Sequence, residues 1–111
     1  MRYLAIYKPD LPASGPPAPE QMEKMRKFVE RSMRDGTLLM TGSIGSAAKG
    51  FRVRLSGERL SIEEGTGPEG QAMAGFALLK TGTKDEMIEL VSQFLRLAGD
   101  GVSEIHMLNE F

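Results

Sequence analysis

The 111-residue chain has no cysteine, no tryptophan, a single histidine and only 6% aromatic residues. Without cysteine there is no disulfide, no thiolate metal ligand and no thiol nucleophile. With one histidine, a His-based metal site within one chain lacks a second imidazole, and a catalytic serine has one available base, His106. An excess of one charge is missing as well. Fourteen Lys and Arg stand against 15 Asp and Glu, for a net charge of −1. Phosphate contacts need clustered positive charge, so nucleic acid is not an expected partner. No run approaches the ~18–20 apolar residues of a membrane span. The apolar stretch after Met1-Arg2 stops at Lys8-Pro9-Asp10, too short for a secretory signal. The expectation is a cytoplasmic protein with no membrane partner, no metal and no cofactor.

What is present is enough for one folded domain over residues 1–111. The chain is 41% hydrophobic and 26% charged, outside the range of a disordered chain. At this length a fold buries roughly two-thirds of the unfolded surface.

Tyr3–Tyr7 reads as a short first strand, apolar on both faces and ended by Pro9, which cannot donate to a ladder. Five of the six prolines fall between Pro9 and Pro19 and make that stretch a loop. Pro19 then opens a helix. Met22, Met25, Val29 and Met33, with Phe28 beside them, are its apolar stripe, and Gly36 stops it. Thr37–Ile44 reads as a strand. Phe51, Val53 and Leu55 alternate with Arg52 and Arg54, the pattern of a half-buried strand. After Ser56-Gly57-Glu58, Leu60 and Ile62 alternate with Ser61 and Glu63, which makes the pair a hairpin.

Residues 64–71 are glycine-rich loop, and the almost continuously apolar Ala72–Leu79 predicts a strand covered on both faces. Thr83 and Glu86 form a capping box for a second helix buried through Met87, Ile88, Val91, Phe94, Leu95 and Ala98 and closed by Gly99. Val102–Leu108 is a last strand. This order predicts an α+β, ferredoxin-like sandwich, an antiparallel sheet with two helices on one face plus an inserted β-hairpin. The other face of the sheet is then bare, and pairing with a second copy is the expected cover, giving a homodimer.

Chemistry-bearing patterns are few. Gly42-Ser43-Ile44-Gly45-Ser46 lacks the lysine and spacing of a phosphate loop. Glu104 and His106 lie two apart on the last strand and share a face. If Ile105 and Met107 face the helices, the charged pair faces the open side. Sending Leu4 and Ile6 to the helices leaves Tyr3 and Tyr7 beside that pair. A carboxylate, an imidazole and two phenols can bind a polar small molecule or do acid–base work; they are also what a satisfied polar patch at a sheet rim contains. Asp10 and the proline loop can cover such a cleft, though most such loops merely connect. Arg52 and Arg54, with Lys49 just before them, suit an anionic ligand or a partner's carboxylates, and equally suit guards of an exposed edge.

Taken in order, these segments resemble the YCII-related proteins, and within them the DGPF branch. The residues are Arg2–Tyr7; Pro19-Glu20-Gln21-Met22 with Met25 and Phe28; Asp35-Gly36-Thr37-Leu38 with Gly42; Lys49-Gly50-Phe51-Arg52-Val53-Arg54; Ala74-Gly75-Phe76; and Ser103-Glu104-Ile105-His106 through Glu110. The resemblance implies a ferredoxin-like fold that dimerises as an α/β barrel. It says little of activity. Some YCII-like relatives use a His/Asp pair in the barrel cleft for lactone-type elimination, but this chain has no histidine near its first strand or helix. Genes of the branch often neighbour sigma factors, which implies a regulatory link. The namesake Asp-Gly-Pro-Phe falls on Glu63-Glu64-Gly65-Thr66, a lysine common in that loop on Gly70, and the last strand's usual arginine on His106. The functions expected are small-polar-ligand binding or an accessory role, then a cofactor-free isomerase or lyase with His106 as acid–base oriented by Glu104, then a regulatory interaction module.

Overall fold

Pro19 lacks an N–H, and the first helical position is where that lack costs nothing; it follows Ala18 there. In the computed structural model, which describes residues 1–10, 18–45, 47–66 and 75–109, α1 runs Pro19–Arg34 and α2 Lys84–Ala98. The end of α1 is fixed by Gly36 at φ +80°. Its N–H donates to Met33 O and that of Thr37 to Ser32 O, so two orphan carbonyls are satisfied together. At the start of α2, Thr83 Oγ1 accepts the Glu86 N–H at 3.1 Å, and Glu86 Oε2 accepts the Gly82 N–H at 3.3 Å. The predicted box forms, with the return bond one residue earlier than the usual position.

The strands are β1 (Arg2–Pro9), β2 (Leu38–Ser43), β3 (Phe51–Ser56), β4 (Arg59–Glu64), β5 (Gly75–Lys80) and β6 (Gly101–Met107). A 3₁₀ turn at Ala47–Lys49 precedes β3. Four strands form one sheet in the order β2-β5-β1-β6, every neighbouring pair antiparallel. Among the described residues β3 and β4 pair only with each other. Val29 of α1 and Met87, Leu90 and Val91 of α2 pack around Ala5, Leu38 and Leu79, so both helices cover the same sheet face. The chain is α+β and compatible with a ferredoxin-like fold. Among the described residues no helix is long and apolar enough to cross a membrane.

Several expectations need correction. β1 continues through Pro9 instead of ending before it. Its ladder with β5 stops at Tyr7 while that with β6 runs to Gly101, so at Pro9 the strand is an edge, where a missing N–H is tolerated. The buried line of α1 is Met25, Phe28, Val29 and Ser32, while Met22 and Met33 are exposed. Ile88 of α2 is exposed as well, and Leu90 takes its place against the sheet. β3 is not half-buried: Phe51, Val53 and Leu55 all stand in water. Residues 11–17 of the proline loop, Ser46, Gly70, Ala72–Ala74 and Glu110 lie outside the described residues.

Candidate functional site

Antiparallel partners share a face, so register decides what β1 shows to each side. Tyr3, Ala5 and Tyr7 stand opposite Met107, Ile105 and Ser103 of β6, and opposite Leu79, Ala77 and Gly75 of β5. Ala5, Leu79 and Ala77 belong to the core under the helices. The tyrosines therefore face the helices, and Leu4 and Ile6 face the open side with His106 and Glu104. This reverses the orientation expected for β1, while that expected for Glu104, His106, Ile105 and Met107 stands. Tyr3 packs against the core and its hydroxyl reaches Met1 Sδ at 3.6 Å. Tyr7 meets the Phe94 ring edge-on at 5.3 Å and donates to Gly99 O at 3.1 Å. Burial, then the nearby carboxylates of Asp10 and Asp100, push its phenol up. It stays protonated, and it lines a cavity between the helices and the sheet.

The open face carries a polar cluster that includes a residue the sequence reading missed. Lys8 forms an ion pair with Glu104, whose other oxygen lies 3.5 Å from His106 Nε2. The Lys8 hydrogen bond and charge hold the Glu104 carboxyl below the usual carboxylate range, with His106 a smaller contributor. All three side chains are well exposed. Lys8 was detectable: it shares parity with Arg2, Leu4 and Ile6, so assigning that parity to the helices concealed it. Arg2, Lys8, Lys80, Glu104 and His106 thus surround a centre of Leu4, Ile6, Phe76, Leu78 and Met40. Gly42 belongs to this face too, since a Cβ there would meet the Phe76 ring at 2.8 Å.

The remaining candidates lie elsewhere. Asp10 is exposed beside Tyr7 and joins the sheet end through its N–H to Asp100 O. Arg52 and Arg54 project from the hairpin and both pair with Glu63, at 3.1 and 2.8 Å. Arg52 Nε also donates to Gly65 O at 3.2 Å. The two guanidinium groups are therefore engaged within their own hairpin. Among the described residues no group of three or more side chains could hold a metal.

A second site lies on the other side of the sheet. A cavity of about 380 Å³ opens between the helices and the sheet. Met25, Phe28, Val29, Val91 and Phe94 form its helical wall. The sheet, its floor, contributes small side chains, Ala5, Ala77, Gly75, Thr41, Ser43 and Ser103, together with the larger Tyr7, Leu38 and Leu79. The small residues between these larger ones leave the gap. Thr41 Oγ1 donates to Phe76 O at 2.9 Å, and no charged side chain lines the cavity among the described residues. The sequence held the signal, four small residues on the inward parity of β1, β5 and β6, but it becomes legible only once the parity of β1 is known. Comparison with protein-family models finds no match, and comparison with curated proteins finds none.

Proposed function

We propose that the protein is a small-molecule-binding subunit of a cytoplasmic homodimer, of the YCII-related, DGPF-branch kind, in which a second copy covers the open sheet face. The cavity carries the reading. About 380 Å³ lies within the ~300–1,000 Å³ of ligand pockets, and a mostly apolar wall with a few hydroxyls is their usual composition. The ligand is a neutral, largely apolar molecule with one or two hydrogen-bonding groups, since among the described residues nothing charged lines the site to pair with an ion. That moves the ligand expected from sequence from polar towards apolar and from the open face to the helix side. The dimer is supported by the open face, where an apolar centre within a charged rim has the make-up of an interface.

The test is fluorescence of the neutral probe N-phenyl-1-naphthylamine. The parent protein and Leu78→Glu, altered on the open face, should both bind it. Ala77→Phe, which fills the floor, should lose binding while keeping its helical circular dichroism. Absence of binding in the parent, or equal binding by Ala77→Phe, overturns the reading. Leu78→Glu losing the probe would place it on the open face instead.

The contact of His106 with Glu104 favours a second reading, a cofactor-free isomerase or lyase with His106 as acid–base and Glu104 orienting it. It requires His106→Ala to abolish turnover of a bound compound without loss of fold. The regulatory-module reading requires a protein partner and indifference to that substitution.

A further inference from the structure

Among the described residues the hairpin, like the open sheet face, has an apolar side with nothing against it. Register places Phe51, Val53, Leu55, Leu60 and Ile62 on one face, and each is 61–70% exposed. The opposite face carries Arg52, Arg54, Arg59, Ser61 and Glu63, with Glu63 paired to both Arg52 and Arg54. One face is thus made for water and the other is not. Two-stranded hairpins are marginal on their own and need a third element on the apolar side. We propose that this hairpin is an arm that reaches out of its own subunit and lays its apolar face on the open sheet face of a second copy. This rests on the homodimer proposed above, and not on the cavity or its ligand.

Three observations select a second copy as the occupant. First, donor and acceptor are both on this chain: the bare hairpin face and the bare centre of Leu4, Ile6, Phe76, Leu78 and Met40. A two-fold axis satisfies both at once, as an isologous contact requires. Second, the areas fit. Five side chains about two-thirds exposed put on the order of 500 Å² of apolar surface into water, already near the largest patch of a typical monomer. Two arms exchanged onto two matching faces bury roughly 2,000 Å², within the range of a stable specific interface. Third, the reach is adequate. Strands of six residues extend about 20 Å, enough to lie across several strands spaced ~4.8 Å apart. Arg52, Arg54 and Glu63 then face outward on the docked arm and keep its back soluble.

The absence of cysteine makes the test clean. Arg59→Cys, on the polar face of β4, carries a nitroxide on unlabelled chain, mixed with isotope-labelled chain lacking the cysteine. Broadening of the Leu4, Ile6 and Leu78 amides of the labelled chain is expected. Broadening confined to samples with nitroxide and isotope on one chain means the arm folds back on its own sheet, and that overturns the proposal, as does no broadening. Sedimentation supplies the second readout. Leu60→Glu with Ile62→Glu should weaken the dimer at least about tenfold while leaving naphthylamine binding in place. If Leu78→Glu yields monomers and the arm variant remains dimeric, the arm is overturned and sheet-to-sheet pairing survives. A parent chain that is monomeric overturns both.

Discussion

Leu79 on β5 and Leu60 and Ile62 on β4 sit in strands of equal length, yet Leu79 is buried and the other two stand in water. β5 lies between β2 and β1 beneath two helices, so its inward residues meet Met87, Leu90 and Val91. β4 has one neighbour and no helix. Alternation therefore states which side chains share a face and not what covers that face. β1 sharpens the lesson, since both its faces are apolar. There the charged ends, Arg2 and Lys8, mark the parity that reaches water, and the tyrosines go inward where Tyr7 finds a carbonyl for its hydroxyl.

The comparison breaks first on core truncation. Leu79→Ala should cost about 2–5 kcal/mol by urea unfolding, the range for a buried leucine left as a cavity. Leu60→Ala at concentrations too low for association should fall within about 0.5 kcal/mol, as surface changes do. Equal costs would show that the hairpin is not separate from the core. Next in size is the cap of α2, where Thr83→Ala should cost about 1 kcal/mol. No loss would mean that the observed Oγ1 contact does not hold the helix start.

The smallest expected effects are electrostatic and surface-bound. Lys8 keeps the Glu104 pKa below its unfolded value. The stabilisation is therefore present above the ordinary carboxylate range and fades as pH falls through the lowered value. Lys8→Met should return the Glu104 titration, followed by carboxyl NMR, towards that ordinary range. A titration unmoved by the substitution would remove Lys8 from the cluster. In the hairpin, Glu63→Gln should change unfolding too little to measure, because the pairs with Arg52 and Arg54 are solvent-exposed.

Local signals in the sequence determined the elements. Pro19, Gly36 and the Thr83–Glu86 box set both helices to within a residue, because caps and φ > 0 act through nearest neighbours. The Gly57 turn and the alternation around it set the hairpin, and parity put Glu104 and His106 on one face, the open one once Ile105 and Met107 are given to the helices. The tertiary structure decided what depends on partners distant in sequence. Register between β1 and β6 put Tyr3 and Tyr7 under the helices and brought Lys8 to Glu104. The pairing of β5 with both β1 and β2 gathered Ala5, Ala77, Thr41 and Ser43 into the floor of one cavity. A strand shifted by one residue exchanges its faces, and with apolar residues on both faces of β1 only its charged ends, Arg2 and Lys8, oppose that exchange locally. The ladders on either side settle it.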